Sequence, residues 1–171
     1  MTPQLPTDVT NVVRINQIIA GAQIAGVVTF GVVVVVIAWN KPPGNAPFAL
    51  IAAGTAIVAI VLRFVMGGSI VSGSRTQIAN DVRSGRLQDT QQIAGRLYAT
   101  HRMQMIVGLG ILEGMAFLNL IAYMLVARWW NLAAAGVLLL LMAAMFPTKN
   151  KLEQWVHDQL QLMEIERTAA P

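Results

Sequence analysis

The sequence contains no cysteine. Disulfides, thiolate nucleophiles and cysteine-based metal sites are excluded with it. Charge is scarce too: Asp, Glu, Lys and Arg together make up 12% of the residues, about half the share of an ordinary globular chain. The two histidines, His101 and His157, are isolated, with no His or carboxylate at ligand spacing, so no metal site is legible. Gly67, Gly68, Ser69 and Gly73 close an apolar run with no Lys-Ser or Lys-Thr after them, so they are not a phosphate loop. No Ser–His–Asp arrangement or cofactor motif stands out, and the reading leans away from an enzyme. Lysines and arginines number 12 and form no cluster interleaved with aromatics, which makes a poor nucleic-acid surface.

What the chain does have is apolar length. Hydrophobic residues are 56% of its 171 positions, and they run in long uncharged stretches, the pattern of a protein whose main partner is the lipid bilayer. Four spans are expected, at about 16–39, 48–70, 103–127 and 131–146. The first is preceded by Arg14 and could be mistaken for a signal peptide. Its apolar run, Ile18 to Trp39, is about 22 residues against ~7–15 for a signal h-region, and no small-x-small site follows before Pro42 and Pro43. It reads as a retained span, with an irregular start before it and Thr10 as a cap near Asn11. The fourth stretch has only about 15 strongly apolar residues and is the least secure.

Small residues recur at helical spacing. Gly21, Ala25 and Thr29 lie four apart, as do Ala22 and Gly26; Ala52, Ala56 and Ala59 mark span two. Span three carries Gly108 and a GxxxG pair, Gly110 and Gly114. Such residues let helix backbones approach closely, within one chain or between copies in a homo-oligomer. Gln23 is the one amide inside span one, and its plain role is a hydrogen bond to a neighbouring helix.

The one long polar connection, 72–102, holds Arg75, Arg83, Arg86, Arg96 and Arg102 against Asp81 and Asp89. Ile78 and Val82 are four apart, as are Ile93 and Leu97, with Ser84-Gly85 between the two pairs. This predicts helical extensions of spans two and three, or two short amphipathic helices, joined near Gly85. After Pro147 the tail, 148–167, places Leu152, Trp155, Val156, Gln159, Leu160 and Met163 at helical spacing, an amphipathic helix that lies on the membrane or packs on the connection. With four spans, nine Lys and Arg fall on the side of the N-terminus, connection and tail, against Lys41 and Arg128 on the other. The positive-inside rule then puts both termini in the cytoplasm of an inner or plasma membrane. The expected fold is therefore all-α: a single-domain integral-membrane four-helix bundle with a cytoplasmic helical hairpin and an amphipathic C-terminal helix.

Two charges stand inside the spans. Glu113 lies about 10 residues, or ~15 Å, into span three, near the midplane of a ~30 Å hydrocarbon core. An ionisable group at that depth is expensive and is a functional-site candidate. Arg63 lies ~10 Å from the end of span two, where it can snorkel to the headgroups or reach Glu113 as a charge partner. Paired with Arg63, the carboxylate would stay ionised and structural; alone in lipid it would favour its protonated form and serve as a proton or cation site.

Residues 97–126 contain a glycine-bearing apolar run, a mid-helix Glu113-Gly114 and then MAFLNLIAYML. This stretch resembles the carboxylate-bearing helix of the proteolipid c subunit of rotary ATP synthases. The resemblance implies an ion-binding role for Glu113 alone. It departs from that family in span two, where Gly54 replaces a glycine repeat, and in the polar loop, which is longer and has no proline over 74–102. Two function classes follow: a structural or accessory membrane component whose loop and tail contact protein partners, and an ion- or proton-coupled transporter or rotor-like oligomer built on Glu113.

Overall fold

A computed structural model describes residues 9–87 and 89–169. The irregular start expected ahead of Asn11 falls mainly on residues 1–8, outside the described residues. Five helices make up the fold: α1 (Val9–Ala38), α2 (Ala46–Arg83), α3 (Thr90–Val126), α4 (Trp129–Ala144) and α5 (Lys149–Ala169). Among the described residues there is no strand.

Each boundary has a local cause. Pro42 and Pro43 follow the end of α1, and Pro47 sits in the first turn of α2, where its missing N–H has no helical partner to lose. The Asp89 side chain accepts the Gln91 N–H at 3.0 Å and caps α3. Gly85, at φ 71°, takes the left-handed conformation that ends α2. The run Val32–Val36 is helical despite its strand propensity, because a helix satisfies its own backbone where lipid cannot.

The 38 residues of α2 and 37 of α3 rise ~55 Å each, almost twice a ~30 Å hydrocarbon core. The connection is thus a continuation of both helices beyond their apolar stretches, with a turn at 84–89. α1, α2 and α3 are long and apolar enough to cross a membrane. The 16 residues of α4 rise only ~24 Å. α4 reaches spanning length and hydropathy only together with α5, and the two are bent by 74° at the break before and after Pro147.

Two apolar cores result. The larger lies among the apolar stretches, around Ala20, Val27, Ala59, Leu109, Leu112 and Leu138. The smaller is built by the start of α1, the end of α2, the start of α3 and α5, around Val13, Ile78, Leu97, Leu152 and Val156. So α5 continues the bundle as its fourth member where α4 stops, and the tail packs on the connection. α3 is the axis, in contact with every other helix. At the opposite end, the turns are tied together: Gly44 N–H donates to Val126 O at 2.8 Å, Lys41 Nζ to Met124 O at 3.1 Å, and Arg128 to Gly44 O at 2.8 and 3.1 Å. The two basic residues at that end are therefore occupied as caps for backbone carbonyls.

Candidate functional site

α1 and α3 run parallel. Phe30 meets Phe117 edge-on with ring centroids 5.2 Å apart, and Gly31 faces Leu120. One turn below, the absence of a side chain at Gly26 makes room for a carboxylate: a Cβ placed there would lie 3.9 Å from Glu113 Oε1 and 4.0 Å from Phe117 Cζ. Glu113 is half-buried in this seam. Among the described residues its carboxylate has no ion pair and no hydrogen bond; the ion pairs there are Arg86–Asp81, Arg96–Asp81 and Lys149–Glu153.

Arg63 lies elsewhere. Its Nε donates to Met145 Sδ of α4 at 2.7 Å, its guanidinium sits over the Phe64 ring at 5.3 Å, and its side chain crosses α3 at Gly108. Gly108 and Glu113 are five residues apart, which turns them ~140° from each other round α3 and separates them by ~7.5 Å along it. The structure does not bring Arg63 and Glu113 together. Depth arithmetic brought them within reach, but the azimuth differs: Glu113 faces α1, and Gln104, which faces Gly67 of α2, is ~180° round α3 from it.

The proposed packing glycines divide as well. Gly26 and Gly108 stand at helix contacts, while a Cβ on Gly21, Gly110 or Gly114 would meet nothing within 4 Å. The Gly21–Ala25–Thr29 stripe also lies off the buried face of α1, which is Val13, Ala20, Val27 and Val34, one residue per heptad. Ala52, Ala56 and Ala59 are buried.

A polar network that sequence reasoning missed joins α2, α3 and α4. Asn131 Nδ2 donates to Ala49 O at 2.9 Å and reaches Asn119 Oδ1 at 3.3 Å. Asn119 Nδ2 donates to Met115 O at 2.9 Å and approaches Thr55 Oγ1 at 3.5 Å. Both asparagines are fully buried. Asn131 was hidden in the motif RWWN, which reads as an interfacial turn but holds the first residues of α4. Gln23, in contrast, lacks the interhelical hydrogen bond expected of it: its Oε1 is buried with no partner. A second amide on the same face, Asn16, is fully buried with both polar atoms unpartnered. Its spacing of seven from Gln23 was the available signal.

His101 lies edge-on to Trp155, ring centroids 5.0 Å apart, and His157 contacts Gln161 at 3.0 Å. Among the described residues no three His, Cys, Asp or Glu side chains come together to hold a metal ion. Comparison with known families, characterised proteins and solved structures finds no match for this chain.

Proposed function

We propose that this protein is a small multi-pass membrane protein whose mid-span carboxylate, Glu113, binds and releases a proton. One observation carries the reading: Glu113 sits half-buried between two apolar helices with neither a cation nor a hydrogen-bond donor on it among the described residues. A structural ion pair is therefore not its reason to be there, and an ionisable group inside an apolar span is a functional-site candidate. The similarity of residues 97–126 to a rotor-ring helix accords with this. The excess of Lys and Arg at the end that carries α5 favours that end as cytoplasmic. Arg63, at the level of the α4–α5 break and without a carboxylate partner among the described residues, suits the snorkelling role.

Purified protein reconstituted in vesicles with an internal pH dye tests the reading. Glu113→Gln is expected to abolish proton movement or proton-coupled uptake while the protein stays inserted and folded. Wild-type and variant vesicles that behave alike would contradict it. The accessory reading keeps one supporting observation, the exposed side chains of Arg83, Arg86, Arg96 and Arg102 around the smaller core. It places partner contact on these arginines, since the apolar face of α5 is already used inside the chain.

A further inference from the structure

The α1–α3 seam has polar atoms that its own packing leaves unsatisfied, and all of them lie on one side of Glu113. Asn16 is fully buried with Nδ2 and Oδ1 unpartnered, and Gln23 Oε1 is buried and unpartnered. Both amides lie on the side of α1 that turns toward α3. Gly26 and Gly31 each meet α3 side chains, and at ~100° per residue Gln23 and Asn16 fall between those two directions on the helix wheel. Asn16 lies ~10 Å below Gln23, and Gln23 ~4.5 Å below Gly26, where Glu113 Oε1 sits.

The parallel register set by Gly26–Glu113 and Phe30–Phe117 puts Gln23 level with Gly110, which is exposed at the edge of the seam and has no side chain to close that edge. Buried amides without partners are ordinarily satisfied by water that makes two to four hydrogen bonds. Beyond Glu113 the seam changes character. Phe30 and Val34 of α1 join Phe117 and Leu120 of α3 in an apolar plug, with Phe30 edge-on to Phe117 and Gly31 against Leu120. At the α2–α3–α4 contact both buried amide groups do donate, Asn119 to Met115 O and Asn131 to Ala49 O and Asn119 Oδ1, with Asn131 Oδ1 left unpartnered.

We propose that a file of water occupies the α1–α3 seam from the smaller core up to Glu113 and carries protons to its carboxylate from that side only. The inference rests on Glu113 being a proton site. In the transfer step an O–H bond of hydronium in the file breaks as an O–H bond to the Glu113 carboxylate forms; the reverse step returns the proton, and nothing is oxidised or reduced.

The test is the rate at which the Glu113 carboxyl exchanges hydrogen for deuterium after transfer of the membranes to D2O, followed by its infrared C=O stretch. The double substitution Asn16→Leu, Gln23→Leu is expected to slow that exchange by about tenfold or more, the weight of roughly one hydrogen bond in a barrier. The unfolding midpoint should stay or rise, because unpaired buried polar groups have been removed. Asn119→Leu, outside the seam, should leave the rate unchanged. Exchange that is equally fast in the double variant would overturn the file and leave the proton site standing. A second measurement does not depend on that variant folding. The chain has no cysteine, so Gln23→Cys and Val34→Cys each carry one thiol. A small membrane-impermeant thiol reagent added on the α5 side should label the first and not the second, and an unlabelled Gln23→Cys would also overturn the file. A Gln23→Cys that labels while Glu113 never titrates overturns the proton site instead, leaving a hydrated seam that leads to no proton acceptor.

Discussion

Glu113 and Asn119 stand six residues apart on one helix, and their surroundings give them opposite roles. Asn119 is fully buried and its amide donates to Met115 O, while Asn131 approaches its oxygen. Those contacts fasten three helices, and their worth should be measurable. A double-mutant cycle of Asn119→Leu and Asn131→Leu, read by unfolding in bicelles, is expected to give a coupling of about 0.5–1.5 kcal/mol; strict additivity would mean that the two amides do not act on each other. Ala127, at φ 48°, ends α3 in the left-handed conformation. Ala127→Gly should stabilise the protein by about 1 kcal/mol, read in the same assay, because only glycine takes that conformation without a Cβ penalty. At this scale the sequence was informative about position along a helix and silent about azimuth. Glu113 was legible as a lone carboxylate inside an apolar helical stretch, because no other charge lies between Arg102 and Arg128. Its neighbour was not, because which face of α3 meets α1 depends on how all the helices pack. Asn131 escaped for a related reason: two tryptophans beside it signal an interface whether the chain there turns or has already begun a helix.

The elements themselves were more readable. Ile78 with Val82, and Ile93 with Leu97, marked the connection as helical, and both helices do run through it as extensions of the spans. Their junction depends on one residue. Gly85→Ala should cost about 1 kcal/mol of stability by thermal unfolding, since an alanine would have to hold φ 71°; an unchanged midpoint would show that the turn can re-form differently. The Gly110–Gly114 pair teaches the opposite lesson. Its spacing is that of a packing motif, yet on α3 it lies on the exposed strip between the faces that meet α1 and α2. A GxxxG pattern records that a backbone can be approached, and says nothing of whether a helix of the same chain is there to approach it. The shortness of α4 was visible in its count of apolar residues. What it led to, a 74° bend with α5 taking over the fourth position in the bundle, required three-dimensional packing to see.

For the molecule as a whole, the fold joins two kinds of core. The larger is surrounded by apolar helix faces suited to lipid; the smaller lies beside exposed arginines. Leu152, almost completely buried, ties α5 into the smaller core. Leu152→Ala should therefore cost about 2–4 kcal/mol in unfolding of that layer, followed by Trp155 fluorescence, while the spans remain inserted. A change below about 0.5 kcal/mol, the range of an ordinary surface substitution, would mean that α5 is not packed as described. This division also frames Glu113. The carboxylate lies in the larger core, the unsatisfied amides lead from it toward the smaller one, and an apolar plug closes the other direction. The measurement that tests this account most directly is an infrared difference titration of the membrane-embedded protein, wild type against Glu113→Gln. The account predicts a carboxyl C=O band that is missing from the variant and that appears and disappears as pH is changed in wild type. A carboxylate that stays ionised at every pH, with no band assignable to Glu113, would contradict it.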